Sequence, residues 1–178
     1  MTPLEEAMYL ARLSLDFGKV ARVTLHQDGE TRESDTTHTV MLGLVAITHA
    51  FRHNSLCGWD DAARLNVSYV SMFALVHDLV EAKCGDTVTL GADQALLDRK
   101  AEREEEALRE LERELGREHW LCLWIRDYEA QTRPEARFVR YLDKVLPKLT
   151  HAMNRAVAVG RLGMTPEAFQ LAHDTQGQ

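Results

Sequence analysis

The chain has 178 residues, of which 45% are hydrophobic and 28% are charged, a composition typical of a globular protein with a substantial core. Its formal net charge of −7 argues against a nucleic-acid or anionic-membrane partner. The three cysteines lack CxxC spacing, which fits a reducing cytosol rather than a disulfide framework or a zinc finger. With an acidic start and no apolar run of transmembrane length, the sequence predicts a cytoplasmic protein with a single domain over residues 1–178.

Helical periodicity dominates the chain, and no stretch shows sustained two-residue alternation, so the predicted fold is all-α. Thr2, Pro3 and Glu5 form a helix-opening pattern. Further helices are predicted over residues 34–51, 68–84, 92–115 and 119–129, from Pro134 onward, and over a short terminal stretch from Thr165. Residues 20–35 are polar and irregular and are predicted to form an exposed loop, and residues 174–178 a frayed tail.

The predicted helix over residues 68–84 carries three groups that core packing does not need, His77, Asp78 and Glu81. His77 and Glu81 are four residues apart and would share one helix face, whereas Asp78 is turned about 100° away from His77. A histidine beside a carboxylate on a helix is often a hydrogen-bonded structural pair, so this stretch alone leaves that interpretation open. A divalent cation would remove the cost of burying the carboxylate.

Two further candidates for metal ligation lie on other predicted helices: His38 in a first turn and Asp143 next to a buried helix face. Together with His77 and Asp78 they would form a mixed nitrogen and oxygen site between helices of a bundle. Such a donor set suits a divalent ion, with Co, Mn, Zn, Ni, Fe and Mg all remaining open.

The order His…His-Asp…Asp on separate helices resembles the HD superfamily of metal-dependent phosphohydrolases, and most closely its bacterial 5′-deoxynucleotidase branch. The matching pieces are Arg22, Arg32 six residues before His38, residues 77–86 and Asp143, and the resemblance covers about residues 4–155. It implies a single-domain, HD-type helical bundle of about seven to nine helices that forms a homo-oligomer, a dimer or higher.

Position by position, the resemblance implies that His38, His77, Asp78 and Asp143 bind the metal. Glu81 would position or deprotonate the attacking water, or protonate the leaving sugar oxygen. The substrate-binding residues implied are Arg22 and Asp86, with Arg32, Lys83 and Lys144 as weaker phosphate candidates.

Two positions depart from the branch pattern: Thr37 precedes His38 where a Glu is common, and Val23 follows Arg22 where a Trp is typical. They leave the deoxynucleotide substrate open. The first interpretation is hydrolysis of deoxynucleoside 5′-monophosphates. The second is release of tripolyphosphate from deoxynucleoside triphosphates, as in related small phage enzymes, and the third is a non-catalytic nucleotide-binding module.

Overall fold

The computed structural model describes residues 1–59, 61–89, 92–161, 163 and 165. The chain begins with α1 (Pro3–Phe17), where the Thr2 side chain accepts from the Glu5 amide and the Glu5 carboxylate accepts from the Thr2 amide, so the predicted capping box is confirmed. Seven further helices follow in the described part of the chain. They are α2 (Asp35–Leu56), α3 (Val67–Val76), α4 (Glu81–Cys84), α5 (Gln94–Leu115), α6 (Trp120–Glu129), α7 (Pro134–Met153) and α8 (Val157–Arg161).

Helix α3 lies at the centre of the bundle, in contact with α2, α6 and α7. Phe73 is fully buried there and packs edge-to-face against Trp124 of α6, with ring centroids 5.3 Å apart. Leu42 of α2 and Val139 of α7 are also fully buried in the same core. The predicted helical bundle is therefore confirmed, and its centre is the helix that leads directly into His77.

The predicted loop over residues 20–35 is wrong, because this segment forms an antiparallel hairpin of β1 (Ala21–Leu25) and β2 (Arg32–Ser34). The register between Ala21 and Leu25 is irregular, which hides any simple two-residue alternation. Asn154, beyond the end of α7, donates from Nδ2 to the Leu25 carbonyl at 2.8 Å. Tertiary contacts thus help to hold a strand pair that is too short and too irregular in register to be recognised from its own sequence.

The predicted continuous helix over residues 68–84 is also corrected. It begins one residue earlier, after the capping Asn66, and α3 ends at Val76, before four turn residues separate it from α4. Within that turn, Leu79 N–H donates to the Val76 carbonyl and Glu81 N–H to the Asp78 carbonyl, three residues back rather than four.

No helix in the described part of the chain combines the length and the apolar character that a membrane crossing requires. The predicted terminal helix from Thr165 and the predicted frayed tail over 174–178 fall almost wholly on residues 166–178, which lie outside the described residues.

Candidate metal centre and adjoining cleft

Four of the predicted site residues, His38, His77, Asp78 and Asp143, converge between α2, α3 and α7. Each offers one ligand atom, and these atoms all lie within 4.8 Å of one another. His38 Nε2 is 2.8 Å from Asp143 Oδ1, and His77 Nε2 is 3.0 Å from Asp78 Oδ2. The two imidazole rings are tilted, with centroids 5.4 Å apart.

The turn after α3 explains how adjacent residues reach the same point. On a regular helix His77 and Asp78 would diverge by about 100°. His77 still completes the helix through its N–H to the Phe73 carbonyl, whereas Asp78 already belongs to the turn. The two side chains therefore approach one centre from consecutive positions.

Both imidazoles have the same orientation relative to the centre. His77 Nδ1 donates to the Ala74 carbonyl at 2.9 Å, and His38 Nδ1 donates to Glu33 Oε1 at 2.9 Å. In each ring the Nε2 atom is the one that faces the carboxylates. His77 Nε2 is buried and makes no directed hydrogen bond in spite of its closeness to Asp78, which leaves it suited to a cation.

The electrostatics of the cluster are dominated by burial and by mutual charge. Burial alone would lower the pKa of His38, but its hydrogen bonds to Asp143 and Glu33 outweigh that effect and raise the pKa to about 9. Burial likewise opposes the charged form of His77, whose pKa is nevertheless raised by the charge of Asp78. Two carboxylates and two imidazoles thus share a small volume, and their donor atoms fit a divalent cation.

Arg22 of β1 lies against this cluster. Its Nη1 donates to Asp78 Oδ2 at 2.9 Å and to Asp35 Oδ1 at 3.1 Å. Asp35 is fully buried at the start of α2, and burial raises its pKa to about 6 although Arg22 opposes the shift. Arg22 therefore neutralises two carboxylates of the protein itself, a role that the sequence analysis did not anticipate.

Glu81 is only 1% exposed and points toward α5. Its Oε1 accepts from Lys100 Nζ at 2.8 Å, while its Oε2 is buried and has no hydrogen-bond partner in the described part of the chain. Burial, followed by repulsion from Asp78, raises the pKa of Glu81 to about 9, and Lys100 acts in the opposite direction. A buried carboxylate with one unengaged oxygen is suited to accepting or donating a proton.

A cleft of about 130 Å³ adjoins the cluster and shares Asp143 with it. Its walls come from β1, from the segment after α4 and from α7. The lining residues are Arg22, Val23, Thr24, Asp86, Thr87, Val88, Thr89, Asp143, Lys144, Pro147 and His151. Of the predicted substrate-binding residues, Arg22, Asp86 and Lys144 line this cleft.

The other two predicted substrate-binding residues lie elsewhere. Arg32 is exposed at the start of β2, and it is not among the residues that line the cleft. Lys83 donates from Nζ to Glu110 Oε1 and Glu114 Oε2, both at 2.8 Å, and so ties α4 to α5.

Sequence reasoning missed Glu33, Asp35, Lys100 and His151 as neighbours of the cluster and cleft. Glu33 and Asp35 stand within five residues of His38, so their acidity close to a ligand candidate was an available signal. Lys100 and His151 had none, because Lys100 is one of many charged residues in α5 and His151 is a single histidine in the last turn of α7.

The chain is similar to one family of protein domains and to named proteins. The family model described as HD domain matches residues 18–170. Over 123 residues the chain is 38% identical to 5′-deoxynucleotidase HDDC2 of Mus musculus, with 67% of this chain and 55% of the relative covered. Over 84 residues it is 38% identical to the Homo sapiens protein of the same name, with 46% and 40% covered. The chain thus spans about half the length of the curated relatives it matches.

Two solved structures have a similar fold. A predicted metal-dependent phosphohydrolase from Magnetospirillum magnetotacticum MS-1 matches with a TM-score of 0.70 and 24% identity, covering 94% of this chain and 79% of that one. A conserved hypothetical protein from Pyrococcus furiosus matches with a TM-score of 0.59 and 18% identity, covering 82% and 79%. At these identities the likeness concerns the fold alone.

Proposed function

The chain belongs to the HD domain family, and we propose that it is a metal-dependent phosphohydrolase that converts deoxynucleoside 5′-monophosphates to deoxynucleoside and phosphate. The observation that carries the proposal is the convergence of His38, His77, Asp78 and Asp143 within 4.8 Å beside a cleft. The relatives named 5′-deoxynucleotidase support the choice of substrate class.

We assign His38, His77, Asp78 and Asp143 as ligands of a divalent cation, with Co, Mn, Zn, Ni, Fe and Mg as candidates. Two imidazole nitrogens and two carboxylate oxygens are a donor set that such ions accept. When bound, the cation polarises a phosphoryl oxygen and makes a neighbouring water more acidic.

Glu81 is assigned the proton transfer, because its Oε2 is unengaged while Lys100 holds its Oε1. The carboxylate takes a proton from the attacking water or returns one to the leaving sugar oxygen. Asp86 and Arg22, which both line the cleft, are assigned to nucleotide binding, and Lys144 to neutralising part of the phosphate charge.

The charges of the cleft favour a monophosphate over a triphosphate. Arg22 and Lys144 bring two positive charges to its lining, while Asp86 and Asp143 bring two negative ones. Arg22 is moreover engaged by Asp35 and Asp78. The lining itself supplies no net positive charge, and a divalent cation at the adjoining centre would add two, which matches a monophosphate better than the larger charge of a triphosphate.

The deciding experiment incubates Mn²⁺- or Co²⁺-loaded protein with each deoxynucleoside mono- and triphosphate and with the ribonucleotides, and identifies every product by ion-exchange chromatography. Nucleoside plus phosphate from the monophosphates supports the proposal. Tripolyphosphate as product would replace it with the triphosphohydrolase alternative. No turnover by metal-loaded protein would leave a nucleotide-binding module.

Asp143→Asn is the matched inactive control, since it keeps the side-chain shape and removes the charge of a ligand. Homo-oligomerisation, a cytoplasmic location and a single domain over residues 1–178 stay predictions. Size-exclusion chromatography with light scattering tests the first of these.

A further inference from the structure

Glu33 is a buried carboxylate that the proposed reaction does not use. It lies in β2, is 1% exposed, and has its Oε1 atom 2.9 Å from His38 Nδ1. Its Oε2 has no hydrogen-bond partner in the described part of the chain. Burying a carboxylate is costly, so one that is aimed at a single imidazole nitrogen calls for an explanation.

The contact fixes which nitrogen of His38 carries a proton. An ionised carboxylate only accepts hydrogen bonds, so Nδ1 must donate to Glu33. The opposite nitrogen, Nε2, is then the one turned toward Asp143, at 2.8 Å. A histidine held in this way offers its Nε2 lone pair to a cation, while its Nδ1–H stays hydrogen-bonded to Glu33.

His77 has the same arrangement with a different acceptor. Its Nδ1–H donates to the Ala74 carbonyl, which is neutral, whereas that of His38 donates to a carboxylate. The two imidazoles are therefore oriented alike, but only His38 has a negative charge behind it. A carboxylate in that position raises the basicity of the ring and strengthens its bond to a metal.

We propose that Glu33 is a positioning residue of the metal centre, which holds His38 with Nδ1 protonated and, through its charge, tightens cation binding at Nε2. This inference rests on the proposed function, in which His38 is a metal ligand. Strand β2, which carries Glu33, would then contribute to metal affinity in addition to forming one strand of the hairpin.

The test is calorimetric titration of the metal-stripped protein, residues 1–178, with Co²⁺ or Mn²⁺. Glu33→Gln keeps the shape and removes the charge, and it is expected to weaken binding about 10-fold; Glu33→Ala also removes the acceptor and is expected to weaken binding by up to about 100-fold. The matched control is Glu135→Gln, which alters another buried carboxylate, one that accepts from the Asn66 amide at 2.8 Å. Its metal affinity is expected to equal that of the wild type.

A second measurement detects the Nδ1 proton of His38 directly. In the Zn²⁺-loaded wild type and in Glu135→Gln, ¹⁵N-correlated NMR is expected to show His38 with Nδ1 protonated, and this proton resonance is expected to be lost to solvent exchange in Glu33→Ala. If both Glu33 variants bind metal as tightly as the wild type, the inference is overturned while the metal centre stands. If the wild type binds no cation, the inference about Glu33, the metal centre and the proposed function are all overturned. Where Glu33→Ala does not fold, the isosteric Glu33→Gln decides.

Discussion

Arg22 donates to Asp78 across 56 positions of sequence, with Nη1 2.9 Å from Oδ2. The same nitrogen contacts Asp35, so one guanidinium joins β1 to the start of α2 and to the turn after α3. Arg22 was expected to neutralise the charge of a substrate phosphate. In the structure it neutralises the carboxylates of Asp35 and Asp78. Its substitution should therefore affect stability as well as substrate binding.

Arg22→Gln is expected to destabilise the fold by about 3 kcal/mol, because it leaves the fully buried Asp35 carboxylate without a cation. Urea unfolding measures the effect. The double variant Arg22→Gln with Asp35→Asn is expected to recover part of the loss, since a neutral amide replaces the stranded charge. A double variant no more stable than the single one would contradict this account.

Lys100→Met is expected to lower kcat at neutral pH and to move the acid limb of the pH–rate profile to higher pH. The Lys100 cation stabilises the ionised form of Glu81, so removing it raises the pKa of that carboxyl further and leaves less of the basic form. KM should change little, because Lys100 does not line the cleft.

Lys83→Met is the matched control for this prediction, since Lys83 also joins the α4 region to α5 but pairs with Glu110 and Glu114. Its pH–rate profile is expected to overlay the wild type, whereas Lys100→Arg should restore much of the activity. Equal profiles for both methionine variants would indicate that α5 acts only through packing.

Asp28→Asn is expected to destabilise the hairpin at neutral pH but not in acid. Asp28 accepts from the Thr31 hydroxyl and from the amides of Glu30 and Thr31, and these bonds lower its pKa from 3.8 to about 2. A carboxyl with a lowered folded pKa stabilises the fold fully above about pH 4, and this contribution is lost as the pH falls toward 2. Thermal unfolding from pH 7 downward should show the deficit of the variant shrinking, with the neighbouring Glu30→Gln as control.

Much of the helical frame could be predicted because its signals are local. The Thr2 and Glu5 capping pair starts α1, and Pro134 starts α7, in both cases through residues adjacent in sequence. The hairpin could not be predicted in this way, because its strands have five and three residues and are held in part by Asn154, more than a hundred residues away. Tertiary contacts of that kind leave no periodic pattern.

The residues of the candidate site also fall into two groups, those that the sequence could predict and those that it could not. His38, His77, Asp78 and Asp143 could be named from residue type, spacing and family resemblance. Lys100 could not, because it stands in a helix crowded with arginines and glutamates, where the sequence does not show which carboxylate a cation will reach. What distinguishes Lys100 from Lys83 is which carboxylate each one reaches in the folded chain.

Phe73→Ala is expected to cost about 3–5 kcal/mol of unfolding free energy, because it opens a cavity among the rings of Tyr69, Trp124 and Tyr128. Phe73 lies one helical turn before His77 and accepts its N–H, so the loss should also loosen the metal centre. Chemical denaturation measures the first effect and metal titration the second. Leu123→Ala on the exposed side of α6 should change stability by less than about 0.5 kcal/mol.

His38 and Asp143, which touch in the folded protein, are separated by 105 residues of chain. During synthesis, the ribosome therefore completes α2 and α3 long before α7 exists, and no partial chain that ends before Asp143 can assemble the proposed set of four ligands. A cation held by all four proposed ligands would bind only after α7 has joined the bundle, and it would then favour the folded chain by mass action. Removal of the ion by a chelator is therefore expected to lower the melting temperature of the whole bundle, including helices far from the metal centre.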